Sequence, residues 1–167
     1  ERTTIMDVKE RIQEAFAINS ADVTKSFYAG FQKEHKAFAE FICGVDDHIA
    51  VKDNRNKQWY TSVMLNRLMF CYFIQKKGFL DNDVNYLRNK LEWCQREKGE
   101  DRFFSSFYKG FLSQMFHDGL NNPAHSDEFE SVYGRIPYLN GGMFDEHQIE
   151  KDYEGLDISD DAFVRIF

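Results

Sequence analysis

Proline is almost missing from this chain. Only Pro123 and Pro137 occur, both in the last third. Residues 1–122 therefore lack the strongest helix breaker, and long helices can run there unobstructed. Cysteine is scarce as well. Cys43, Cys71 and Cys94 are odd in number and far apart, which excludes a disulfide framework. Each sits among apolar residues, so the expectation is three buried thiols in a reducing cytoplasm. No uncharged apolar run reaches the 18 residues that a membrane-spanning helix needs; the most apolar stretch, 63–74, is too short. No signal peptide is visible.

Catalytic signatures are missing too. The histidines are His35, His48, His117, His125 and His147, and none lies three or four residues from another His or Cys. A zinc site built on one helix face is thereby excluded. No G-x-S-x-G occurs, and thiols in apolar surroundings make poor nucleophiles. The one adjacent glycine pair, Gly141-Gly142 in IPYLNGGMF, lacks G-K-[ST] and G-x-G-x-x-G and reads as a tight turn. Asp7-Val8-Lys9 and Glu34-His35-Lys36 match half of a nuclease motif, but both fall on expected helices and read as solvent-facing charges. No catalytic, cofactor-binding or metal-binding residue is assigned.

What is present is aromatic. Seventeen Phe and eight Tyr stand in 167 residues, with 43% hydrophobic residues in all. That composition fits one globular domain with a substantial core. The net charge of −7 makes the chain a poor general phosphate binder. The charge is uneven: −3 over residues 1–50, +4 over 51–102 and −8 over 103–167. The mildly basic middle is compatible with a nucleic-acid edge, though on charge alone solvated helix faces explain it better.

The fold class expected is all-α: a five-helix, bundle-like domain with a partly irregular C-terminal third. Apolar spacing of three, four and seven marks a helix at 5–16 and a second at 21–42, stopped by Gly44. A polar loop follows. The third helix, 57–77, contains VMLNRLMFCYFIQKKGFL, residues 63–80. It is apolar nearly all round, which places it in the core. Asn66 and Arg67 must then be hydrogen-bonded there, and with Gln75 they form the expected structural polar network. Lys76 and Lys77 suit the negative end of the helix dipole, Gly78 suits the C′ position, and Phe79 and Leu80 close the cap. A fourth helix starts near Asp81 with Val84, Leu87, Leu91 and Cys94 in its stripe and ends at Gly99. The fifth spans 101–120 and carries Phe103, Phe104, Phe107, Tyr108, Phe111, Leu112, Met115 and Phe116.

From residue 121 both prolines and several glycines predict an ordered loop, with a short strand at 135–139. Ser159 is a good N-cap, with Asp160 and Asp161 in the first turn. The chain starts without Met and stops at Phe167 where that helix is beginning, so a fragment of a longer protein is expected. The domain reading is a single helical domain, 1–167, with 121–167 leading toward a missing catalytic domain.

Five stretches carry a resemblance. They are VTKSFYAGFQKEHKAF (23–38), MLNRLMFCYFIQKKGFL (64–80), NYLRNKL (85–91), FYKGFLSQMF (107–116) and GRIPYLNGGMF (134–144). In this order they resemble the helical region upstream of the methyltransferase domain in type IIG restriction-modification enzymes. Related adenine-specific DNA methyltransferases of phage-defence systems share it. The resemblance implies a non-catalytic connector that positions catalytic and DNA-recognition parts. S-adenosylmethionine, and Mg²⁺ where there is a nuclease, would belong to the parent. The implied partners are DNA, through that parent, and the neighbouring methyltransferase domain, with no membrane. Lys76, Lys77 and Arg135 are candidate DNA contacts. Tyr138, Leu139, Gly141, Gly142, Met143 and Phe144 are candidate interdomain docking residues, of which Tyr138, Leu139, Met143 and Phe144 would be half-exposed without the partner. The alternative is a self-contained helical interaction or regulatory module.

Overall fold

The computed structural model describes residues 22–45, 55–97, 106–139 and 141–167. The helix expected at 5–16, Phe103 and Phe104 lie outside the described residues. Helix α1 spans Asp22–Ala39, α2 Arg55–Lys76 and α3 Tyr86–Glu97. Two wide helical stretches follow, π1 (Tyr108–Leu112) and π2 (Met115–Leu120). Short helices α4 (Asp127–Tyr133), α5 (Gln148–Asp152) and α6 (Asp160–Ile166) complete the chain. The only strands among the described residues are β1 (Ile42–Cys43) and β2 (Asp157–Ile158), paired antiparallel with Ile42 opposite Ile158. The architecture is all-α.

Helix α2 is the central element. It buries Tyr60, Met64, Leu65, Leu68, Cys71 and Ile74, while Val63 and Phe70 pack half-buried against the same core. Its end follows from Gly78. That residue adopts φ +79°, its N–H donates to the Gln75 carbonyl at 2.9 Å, and the Phe79 N–H donates to Ile74 at 2.9 Å. These are the two bonds of a Schellman cap. Leu80 then inserts into the core with no exposed surface.

The π stretches also have a sequence cause. Phe107, Phe111 and Met115 form one buried column, and Tyr108, Leu112, Phe116 and Leu120 form another. Their repeat is four residues. Four residues carry an α-helix about 40° past a full turn, so three repeats would swing the stripe about 120° away from the core. Wider turns absorb the excess and keep both columns facing inward. The Asn121 N–H reaching back to the Phe116 carbonyl at 3.0 Å is one such turn.

Several expectations need correction. Helix α3 begins at Tyr86, because Asp81 and Asn82 take φ of 52° and 54°, which a helix cannot hold. Val84 is accordingly 48% exposed. Gly44 does not cap α1, which ends at Ala39; it has φ +76°, and a Cβ there would meet the Gly155 carbonyl oxygen at 1.9 Å. Its lack of a side chain lets the chain beside β1 pass close to the turn before β2. Cys43 is exposed, whereas Cys71 and Cys94 are buried. The C-terminal third is more ordered than its composition suggests. Side chains cap its helices: the Ser126 hydroxyl accepts from the Phe129 N–H, and the Ser159 hydroxyl accepts from Asp161. Residues 135–139 form no strand; the Leu139 N–H donates to the Leu120 carbonyl at 2.7 Å outside any ladder. Gly119 makes room for this segment, since a Cβ there would lie 2.3 Å from Ile136 Cδ1.

Candidate functional site

Among the described residues, the most highly charged buried place is built around Arg67. The inner face of α2 carries its side chain to a position 1% exposed. The guanidinium has five N–H groups and no way to lose its charge, so burial demands acceptors. Three partners supply them from one later segment. Nε donates to the Met143 carbonyl at 2.9 Å, one terminal nitrogen to the Asp145 carbonyl at 2.7 Å, and the other to Glu150 Oε1 at 2.8 Å. The Phe116 ring lies beneath the cation, 5.4 Å away.

Glu150 is the hub. Its Oε1 also accepts from the His147 backbone N–H at 3.0 Å, and its Oε2 faces His117 Nε2 at 2.9 Å. Burial by itself would raise its pKa. The His117 hydrogen bond and the Arg67 charge outweigh burial and hold the carboxyl below its ordinary 4.5.

The two histidines beside it are in opposite states. His117 on π2 places Nδ1 3.0 Å from the Phe144 carbonyl and Nε2 against the Glu150 carboxylate. Neither oxygen has a hydrogen to give, so both ring nitrogens must donate, and only the imidazolium can do that. Burial disfavours this cation, but the bond and charge of Glu150 raise its pKa above 6.5. His147 is the N-cap of α5. Its Nδ1 accepts from the Ile149 N–H at 3.2 Å, which requires a bare nitrogen. Burial and the Arg67 charge lower its pKa below 6.5, in keeping with that role. The Trp59 ring meets the His147 ring edge-on at 4.8 Å.

Beside the cluster the Tyr60 and Tyr108 hydroxyls are hydrogen-bonded to each other. Burial raises both pKa values, that of Tyr108 to about 12. Every charged group in the cluster already has a partner. The arrangement fastens the segment 143–150 to α2 and π2. Among the described residues no group of His, Cys, Asp or Glu is disposed to hold a metal ion, and no helix is long and apolar enough to cross a membrane.

The sequence-predicted residues are distributed as follows. Gln75 is buried and its Oε1 accepts from the Leu87 N–H at 3.0 Å, joining α2 to α3. Asn66 is exposed and lies away from Arg67's partners, because one residue along a helix turns the side chain about 100°. Lys76 and Lys77 are exposed, and the Lys76 ammonium lies 5.3 Å from the Tyr72 ring centre. Arg135 is exposed and comes close to the turn after α2. There the Asp81 N–H donates to the Arg135 carbonyl at 2.8 Å, and the Arg135 N–H donates to Asp81 Oδ1 at 3.0 Å. Gly141, Gly142 and Met143 are exposed, Met143 by 43%, while Tyr138 and Leu139 are half-buried. Phe144 is 2% exposed, with its ring between Phe70 and Phe116, so it is core rather than docking surface.

Glu150, His117 and His147 escaped sequence reading. His117 is 33 residues from Glu150, beyond any helical spacing. His147-x-x-Glu150 does form a capping box, with His in the place usually held by Ser or Thr.

With this geometry established, comparison with known proteins adds one relationship. The chain is similar to a restriction-modification protein. Over 102 residues, 58% of this chain, it is 28% identical to a Methanocaldococcus jannaschii protein that carries the provisional name of a type II restriction enzyme and methyltransferase. The match spans 8% of that protein's length. No family model matches the chain. No solved structure gives a significant match.

Proposed function

We propose that this chain is the non-catalytic helical connector of a larger DNA restriction-modification protein, an adenine-specific N6 methyltransferase, and that it sets catalytic and DNA-recognition parts in place. The observation that carries this reading is the similarity to a small part of a protein named for both activities. The ordered run of motifs from 64–80 to 134–144 supports it. The Arg67 cluster supports the positioning role. It ties a rigid central helix to the segment bearing Gly141, Gly142 and Met143, which with Tyr138 and Leu139 would meet the neighbouring domain.

S-adenosylmethionine does not fit the one adjacent glycine pair here. Gly141 and Gly142 lie in an exposed turn, and the next helix starts only at Gln148, so no helix N-terminus is presented to a phosphate or carboxylate at that pair. The cofactor, and Mg²⁺ for any cleavage, would be bound by other parts of the parent. DNA contact would fall to Lys76, Lys77 and Arg135; the Arg135 backbone is bonded to Asp81, in the turn that follows the two lysines.

The test uses the full-length parent protein with S-adenosylmethionine and duplex DNA, read out as N6-methyladenine. Methylation by the parent and none by the 167-residue chain supports the connector. Methyl transfer by the chain alone overturns it. A parent that does not methylate, while the chain binds a separate protein tightly, favours the interaction-module reading.

A further inference from the structure

We propose that His117 is a pH-operated latch on the segment from Met143 to His147. Doubly protonated, it fastens that segment to π2; with one proton lost, it releases one side. The inference does not depend on the restriction-modification reading.

The geometry is a ring between two acceptors. Nδ1 is held by the backbone carbonyl of Phe144, and Nε2 by the carboxylate of Glu150. A neutral ring has one N–H and can serve one of them. The other nitrogen then turns a lone pair toward an oxygen, and attraction becomes repulsion. A proton on Glu150 would resolve the clash, but Arg67 and the His147 N–H already hold that carboxyl in its charged form.

Glu150 on α5 favours the His117 cation, and Arg67 on α2 opposes it. His147, at the start of α5, is neutral because its Nδ1 is an acceptor. Asp118, next along π2, and Asp145 and Glu146 on the segment itself are exposed to water. The charged groups of α4, which also packs on π2, are Asp127, Glu128 and Glu130, and all three are exposed to water. Glu150 therefore sets the state of the latch.

The fastened atom belongs to Phe144, whose ring is buried against Phe70 and Phe116. Opening the latch loosens the backbone that holds this ring and exposes an aromatic beside Gly141 and Gly142. The sign is fixed by the direction of the shift. The pKa of His117 is above 6.5 in the folded chain, so its stabilisation is complete below pH 6.5 and fades as pH rises through the folded value.

The test is nitrogen NMR of the His117 ring together with amide hydrogen exchange, on the 167-residue chain from pH 5.5 to 9. The expected result is two protonated ring nitrogens at pH 6 and a midpoint above 6.5. Above that midpoint, amide protection at 144–147, corrected for intrinsic exchange, should fall about tenfold or more, the scale of a lost charge-assisted bond. His117→Gln should make protection there independent of pH. A single protonated nitrogen at pH 6, a midpoint at or below 6.5, or constant protection in the unsubstituted chain would overturn the latch. So would a parallel loss at Leu68 and Cys71, because that is loosening of the whole core.

Discussion

Helix α2 and the stretch from residue 121 onward are held in place by different means. α2 is stabilised by its own period: apolar residues on successive turns, a Schellman cap at Gly78 and a buried face running from Tyr60 to Ile74. The later stretch has short helices of five to seven residues, too short to be stable alone. It is held by side-chain bonds that cross between it and the earlier chain. Arg67 grips 143–150, and Asp81 grips 134–135. Ser106 Oγ donates to Asp157 Oδ1 at 2.6 Å, and the Phe107 N–H donates to Asp160 Oδ1 at 2.8 Å. A region poor in local propensity is thus ordered by polar bonds to a region rich in it and by its own buried side chains, among them Phe144, Ile149, Ile158 and Phe163. Those bonds are strong where they are buried and charged.

The comparison can be broken most directly at Arg67. Arg67→Met should lower the free energy of unfolding by about 3–5 kcal/mol, because it leaves Glu150 buried with its main counter-charge gone. Urea denaturation measures this. Helical circular dichroism should largely persist, since α2 does not depend on the clasp. A loss below about 0.5 kcal/mol, the size of an ordinary surface change, would show that the two regions do not differ as argued.

The same cluster gives a stability profile against pH. Glu150 has a lowered pKa, so its contribution is present above pH 4.5 and is lost as pH falls through the folded value. His117 has a raised pKa, so its contribution is present below pH 6.5 and is lost as pH rises. Urea midpoints measured across pH should peak between those limits; His117→Gln should remove the alkaline limb, and Glu150→Gln the acid limb as well.

Packing between the regions is tested at Gly119. Gly119→Ala places a methyl 2.3 Å from Ile136 and 2.9 Å from Phe129. It should cost about 1–3 kcal/mol, while the Ala preference of the helix recovers less than that. Ser159→Ala removes only a cap, and the expected loss is about 1 kcal/mol in thermal or urea unfolding. The smallest effect belongs to Lys76→Ala combined with Lys77→Ala. Stability should shift by no more than about 0.5 kcal/mol. If both lysines meet phosphates, the salt dependence of DNA binding by the parent should fall by about 0.9 per contact. An unchanged slope removes them from the interface.

Much of the fold was legible in advance, and particular residues show why. Gly78, Lys77 and Phe79 declare the end of α2 through local chemistry. Ser159 with Asp160 and Asp161 declares the start of α6. The run 63–74 declares burial, but not on every side: Asn66 is exposed and Tyr72 is 52% exposed, so the helix keeps a wet face that its apolar composition hides. The misplaced start of α3 shows the limit. Asp81-Asn82-Asp83 looks like a cap, but Asp81 is taken up by Arg135, 54 residues later, and two positive φ angles hold it there. Asn66 and Arg67 looked alike in sequence, yet one is exposed and the other buried, as their 100° separation requires.

The sequence by itself determined the helical class, the core position of α2, its C-terminal cap at Gly78 and the N-cap of α6 at Ser159, because each depends on residues within about four positions of one another. It also determined that Arg67 needs acceptors. Only the tertiary structure decided which: Met143, Asp145 and Glu150, 76, 78 and 83 residues away. The charge on His117 was decided there too. An imidazole's protonation follows from the two atoms facing its nitrogens, and no spacing along the chain reveals those.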